Sequence, residues 1–282
     1  MSRIEKALEK ASQLRQRNPD APPAKTPVQA CAIPGSSDTE YPYEPRISQV
    51  NNPFLVSAND TGSPISEEYK KLKSLLVGME RQDGFANVIM VTSAIAGEGK
   101  SITALNLALS LAQEMDHTVL LVDADLRKPS IHRYLDLNPV AGLADILEER
   151  ADMGTALIHT GIGRLVVLPA GKVTHNPVEL FTSQRFAQFI QDIKHRYRDR
   201  YVIIDTPPIL PFAETRTLSK LVDGVIFVVK ERMASQASIA EGISALDGAR
   251  KLGLVYNEAE ISISDDRYGH YYNRYYQREQ PQ

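Results

Sequence analysis

Nine consecutive residues, Ser93-Ala94-Ile95-Ala96-Gly97-Glu98-Gly99-Lys100-Ser101, carry the strongest chemical signal in the sequence. They come after an apolar run at 87–92 and lead into a stretch with Ile102, Leu105, Leu107 and Leu109. A strand that turns through two glycines into a helix aims backbone N–H groups at one point. The helix N-terminus adds positive potential there. Such a turn cradles phosphate. Lys100 can reach β- and γ-phosphates, and the Ser101 hydroxyl can ligate Mg²⁺. Gly97, Glu98, Gly99, Lys100, Ser101 and Ile102 are therefore candidate nucleotide-binding residues. Ala94 stands where the usual motif begins with glycine, which makes this a slightly degenerate Walker A loop. The competing reading is a turn with a purely structural role.

Acids stand at two further strand ends. The run 118–123 ends in Asp123-Ala124-Asp125-Leu126-Arg127, and the run 201–205 ends in Asp205-Thr206-Pro207-Pro208. An aspartate closing an apolar strand is often only a turn or cap residue. Three of them at strand C-termini beside a phosphate loop predict a metal and acid–base cluster. A third kind of residue lies far from both. Tyr268, Tyr271, Tyr272, Tyr275 and Tyr276 are five of the chain's 12 tyrosines, set among Asp265, Asp266, Arg267, His270, Arg274 and Arg278. No aliphatic partners accompany them, so a core strand is excluded. An aromatic tail that stacks on bases is the alternative to a set of phosphate acceptors. A phenol titrates near about pH 10 and needs a carboxylate and a metal-polarised phosphate to react at neutral pH.

The elements that must hold these groups are read from periodicity. Strands are predicted at 87–92, 118–123, 165–168, 201–205, 224–229 and 252–256, and helices at 66–81, 101–115, 142–150, 178–197 and 236–251. Ser66 reads as a helix cap with Glu67 and Glu68 in the first turn. Most of the strands are unbroken β-branched runs, as in a mainly parallel sheet covered on both faces. Residues 1–16 read as an amphipathic helix, as much a frayed tail as a docking element. Residues 17–65 hold nine of 17 prolines and read as a linker, and 264–282 as a mobile tail. The 282 residues, 43% hydrophobic with a net charge of −3, suit one α/β domain with appendages. The balance of charge gives no sign of a nucleic-acid partner. A single cysteine, Cys31, excludes a disulfide framework, and the six histidines show no ligand spacing. With neither an apolar leader nor a spanning run, the predicted address is cytoplasmic.

The combination of phosphate loop, Asp-x-Asp strand end and Asp-Thr-Pro-Pro strand end resembles the bacterial protein-tyrosine kinases over residues 66–276. It is similar in particular to the stand-alone cytosolic autokinases of exosortase-type exopolysaccharide loci. The resemblance implies a P-loop NTPase fold of the MinD/ParA kind, a mainly parallel sheet flanked by helices with a disordered linker and tail. It implies ATP and Mg²⁺ as cofactors, Lys100, Asp123 and Asp125 as catalytic residues, and Ser101, Asp205 and Asp123 at the metal. Asn257 falls where related ATPases contact adenine. Glu67, Lys70 and Lys73 match the family's Glu-x-x-Arg-x-x-Arg oligomerisation motif with lysine for both arginines, on one helix face. The tail tyrosines become acceptors for a neighbouring protomer. The implied partners are a membrane chain-length (polysaccharide co-polymerase) activator, which would recruit the chain to the inner face of the membrane, and a cognate tyrosine phosphatase. The rival within the fold is a MinD/ParA-type regulatory ATPase. Those enzymes carry a signature lysine five residues before the loop lysine, where this chain has Ile95. A non-catalytic interaction module is the rival outside it.

Overall fold

The structure, a computed structural model, describes residues 52–83, 87–113, 118–172, 174, 176–196 and 200–260. The predicted helix at 1–16, most of the linker, and the tyrosine-rich tail lie outside the described residues.

Seven strands form one sheet: β1 Val88–Ser93, β2 Thr118–Asp123, β3 Ile158–His159, β4 Leu165–Leu168, β5 Arg200–Asp205, β6 Gly224–Lys230 and β7 Lys251–Asn257. Their order is β3-β4-β2-β5-β1-β6-β7, and every pairing except β3 with β4 is parallel. Strand β1 is buried along its whole length, and β2 and β5 beyond their first residue, which is why they read as apolar runs. Their register sets which strand ends are neighbours. Asp123 at the end of β2 lies beside Asp205 at the end of β5, and Asp205 lies beside Val91 of β1, two residues before the phosphate loop.

The helices are α1 Val56–Asn59, α2 Pro64–Asp83, α3 Lys100–Ala112, α4 Ile131–Tyr134, α5 Leu143–Leu147, α6 Met153–Ala156, α7 Pro177–Thr182, α8 Gln184–Arg196, α9 Ala213–Ser219 and α10 Gln236–Ser244. The loop helix α3 is buried almost from end to end. It packs on β1, β2 and β5, so it cannot shift without disturbing the core. No helix among the described residues is long and apolar enough to cross a membrane.

Several elements differ from the sequence reading. Helix α2 starts at Pro64, not Ser66: the Ser63 hydroxyl accepts from Ser66 N at 3.2 Å, and proline occupies the first turn, where its missing N–H costs nothing. Ser66 itself is buried. The single helix expected at 178–197 is two. Ser183 has extended backbone, ends α7, and accepts from Phe186 N at 3.1 Å to start α8. Helix α10 stops at Ser244, seven residues short of the expected end. The last part of the predicted linker is folded against α3. Leu55 is fully buried, Ser57 N donates to Asn106 Oδ1 at 3.0 Å, and Asn106 Nδ2 donates to Phe54 O at 2.9 Å. Proline content hid that anchor. The helices α1, α4, α6 and α9 and the strand β3 have no counterpart in the reading, since two to seven residues are too few to show a period.

Candidate active site

The phosphate loop runs from β1 into α3. Gly97 and Gly99 both have left-handed φ, 91° and 88°. A side chain at Gly97 would collide with Met233, and one at Gly99 with Asn257. Both positions therefore require glycine for conformation, and Gly99 for space as well, whereas the exposed Met233 methyl can move aside from Gly97. Glu98 between them is fully buried. Its Oε2 accepts from Ile95 N at 2.8 Å, which closes the loop on itself, and its Oε1 has no hydrogen-bond partner among the described residues. Asn257, at the end of β7, donates from Nδ2 to Glu98 O at 3.0 Å. The residue matched to an adenine contact is thus tied to the loop backbone across 159 residues of sequence.

Lys100, Ser101, Asp123, Asp125 and Asp205 converge at the ends of β2 and β5 and the start of α3. Lys100 Nζ lies 3.1 Å from Asp125 Oδ2, 4.0 Å from Asp205 Oδ1 and 3.3 Å from the Ser101 hydroxyl. Burial would lower the lysine pKa, but the facing aspartates outweigh it and hold the ammonium above its ordinary value. The acids differ in how they are satisfied. Asp123 Oδ2 accepts from Ser130 N at 3.0 Å and Ile131 N at 3.1 Å, and Oδ1 accepts from Asp125 N at 3.2 Å. Asp125 Oδ1 accepts from Lys128 N at 3.0 Å and keeps Oδ2 for Lys100. Asp205 is equally buried, yet neither oxygen has a hydrogen-bond partner among the described residues. Burial pushes the Asp123 carboxyl up to about 8, helped by repulsion from Asp205 and opposed by the two α4 amides. Burial also pushes Asp205 up, to about 6, against the pull of Lys100 and Ser101.

Among the described residues no three His, Cys, Asp or Glu side chains form a complete metal cage. The donor set nonetheless fits Mg²⁺, which uses one or two carboxylates and draws its other ligands from water and substrate phosphate. An orphaned buried carboxylate beside a phosphate loop is the observation that matches.

The residues matched to an oligomerisation motif sit on α2. Glu67 and Lys70 form an ion pair at 2.6 Å, and Lys70 Nζ also donates to Thr61 O at 2.7 Å. Tyr268, Tyr271, Tyr272, Tyr275 and Tyr276 fall outside the described residues. Two features had no sequence signal. The internal bond of Glu98 depends on loop shape. A further acid, buried Glu214 on α9, reaches Arg127 at 2.6 Å from a different connection.

Comparison with known proteins covers most of the chain. A family profile described as ParA, NUBPL iron-transfer P-loop NTPase, matches residues 84–267. Tyrosine-protein kinase YwqD of Bacillus subtilis is 33% identical over 221 residues, 77% of this chain and 90% of that protein. The tyrosine-protein kinase wzc of Salmonella typhi is 29% identical over 76% of this chain but only 30% of its own, longer length. Among solved structures, the chimerical protein CapA2B2 superposes with a TM-score of 0.67 at 33% identity, covering 72% of this chain and 88% of that one. The kinase domain of the Escherichia coli tyrosine kinase ETK gives 0.70 at 25% identity, covering 78% and 85%. MinD of Pyrococcus horikoshii, complexed with Mg-ADP, shares the fold with a TM-score of 0.52 at 23% identity over 61% of this chain and 70% of its own.

Proposed function

This chain belongs to the bacterial protein-tyrosine kinase family of P-loop proteins, and from that premise we propose that it is an ATP-dependent autokinase acting on its own C-terminal tyrosines. The observation that carries the reading is the convergence of Lys100 and three aspartates over the phosphate loop, one of them with an unsatisfied buried carboxylate. Nucleotide binding alone needs the loop and its lysine. A phosphate acceptor also needs a base and a way to hold charge on the transferring group.

The backbone of 97–101 and Lys100 hold the triphosphate. To do so Lys100 exchanges Asp125 for phosphate oxygen, and Asp125 is left facing the outermost group. Ser101 and Asp205 would hold Mg²⁺, which when bound neutralises charge on the β- and γ-oxygens. Asp123 is the assigned base: it stands beside Asp205 at the end of the adjacent strand, and burial raises its affinity for a proton. The phenol oxygen attacks the γ-phosphorus and its proton passes to Asp123. The bond from γ-phosphorus to the bridging oxygen breaks, and ADP leaves with that electron pair. Asn257 steadies the loop through Glu98 O.

Residues 264–282 carry three acids and three arginines, so five phosphates would change the tail's charge by about −8 to −10. Once the tail is fully phosphorylated, repulsion from the acid cluster and from other tails loosens an assembly built on Glu67, Lys70 and Lys73. A membrane chain-length protein as activator, a dedicated phosphatase and a place in exopolysaccharide export complete the reading. Light scattering before and after phosphatase treatment tests the switch; an unchanged mass counts against it. The activity itself is tested by incubation with ATP and Mg²⁺, then mass spectrometry of the last 20 residues. Phosphotyrosine in the wild type and its loss in Lys100→Met, with the fold retained, are expected. ATP hydrolysis without phosphotyrosine would favour a regulatory ATPase instead.

A further inference from the structure

Arg127 lies two residues beyond Asp125, on the connection that leaves β2. Its Nε donates to Glu214 Oε1 at 2.6 Å, and its guanidinium carbon stands 4.6 Å from the centre of the Phe212 ring. Glu214 is 1% exposed and its second oxygen has no hydrogen-bond partner among the described residues. A buried carboxylate on one side and an aromatic face on another fix the guanidinium plane. The Nε bond uses one of five N–H donors. The others, on the two Nη groups, have no partner among the described residues. The side chain is 37% exposed, against 6% for Asp125 and 0% for Asp205. Arg127 is thus open to solvent where the acids two residues and more before it are closed to it, and its neighbour Lys128 is exposed as well.

An arginine held this way, more than a third exposed and bonded through Nε alone, can offer its two Nη groups to two oxygens of a phosphate or carboxylate. We propose that Arg127 binds an oxyanion on the tyrosine segment being phosphorylated, about three residues from the acceptor. The proposal rests on the kinase reading above and names the substrate class for that site. The tail has the matching spacing. Tyr268, Tyr271 or Tyr272, and Tyr275 or Tyr276 are three to four residues apart, and Asp265 precedes Tyr268 by three. Three extended residues span about 10 Å, and two residues of backbone separate Arg127 from Asp125 by at most about 7 Å, so an arginine side chain covers the remainder. Asp265 supplies the oxyanion for the first transfer, and each new phosphotyrosine supplies it for the next. Labelling then proceeds along one tail rather than scattering over many.

The test uses full-length protein and counts phosphates per chain by intact mass. Wild type at partial reaction is expected to show chains with several phosphates beside chains with none. Arg127→Gln is expected to shift to singly labelled chains, and Arg127→Lys to fall between, with the ATP-induced rise in melting temperature unchanged in both. Because Arg127→Gln removes the partner of buried Glu214, a second measurement leaves the fold untouched. Wild-type protein is given synthetic peptides of residues 264–278: one unmodified, one with Tyr272 phosphorylated, and one with Asp265→Asn. About tenfold higher kcat/KM for the phosphorylated peptide is expected, with a similar loss for the Asp265→Asn peptide. A preference confined to one of the two would identify phosphate or carboxylate as the true ligand. Equal kcat/KM for all three, or identical phosphate counts in wild type and Arg127→Gln, overturns the proposal and leaves the kinase reading standing. Wild type without phosphotyrosine overturns that reading itself.

Discussion

Asp123 and Asp205 end adjacent strands in register, both fully buried, and they live in opposite circumstances. Around Asp123 the chain folds back on itself: residues 124–131 wrap the carboxylate, and three backbone N–H groups point at it. Around Asp205 the chain turns away through Thr206 and two prolines, its oxygens make no hydrogen bond among the described residues, and the Lys100 ammonium stands 4.0 Å off. One carboxylate organises a loop as well as facing the site; the other is held at a cost until a ligand supplies what the protein omits. Equal depth in a protein does not mean equal function. The partners that a buried charge lacks say more about its purpose than the partners it has.

The sharpest way to break this contrast is Asp205→Asn. Tail phosphorylation is expected to fall about a thousandfold, as when one stabilising group is removed from a charged transition state. The melting temperature without nucleotide is expected to change little, because the carboxylate removed makes no hydrogen bond among the described residues and Lys100 keeps Asp125 as its partner. A marked loss of thermal stability would make Asp205 a structural residue like its neighbour. Asp123→Ala should behave differently, costing about 3 kcal/mol in urea denaturation because three N–H groups are left unsatisfied around a cavity. Stability equal to wild type would show that the 124–131 loop holds itself up.

The two acids also predict a pH dependence. Both bind a proton more tightly folded than unfolded, their carboxyls having risen from 3.8 to about 8 and about 6. The contribution of each is present below its ordinary pKa and lost as pH rises through its folded value. Without nucleotide or Mg²⁺, the urea midpoint should therefore decline from about pH 4 to about pH 8, and Asp205→Asn should flatten the lower half of that decline. A midpoint that climbs across this range would contradict the assignment. The smallest effect belongs to Asn257→Ala. Losing one hydrogen bond to the loop should cost about 1 kcal/mol and weaken ATP binding a few-fold in calorimetry.

Much of this was legible in the residues. An apolar run, two glycines, lysine and serine specify a phosphate loop because only glycine allows those backbone angles and only a buried strand needs such a run. Acids at strand ends were equally plain. The broken α7–α8 pair was not, since Ser183 is a single small residue whose capping role shows only in three dimensions. Nor was the anchor at Leu55, buried beneath a stretch that proline content marked as linker.

The sequence by itself determined the alternation of strands and helices, the loop that turns N–H groups toward phosphate, and the kinds of side chain brought to it. Those are local matters, governed by periodicity, backbone freedom and charge. Only the tertiary structure decided that β2 and β5 pair in register and set Asp123 against Asp205, that Asn257 reaches back to Glu98, and that Glu214 and Phe212 orient Arg127. These relations join residues far apart in the chain, and their geometry comes from how the sheet packs, which no short stretch of sequence can express.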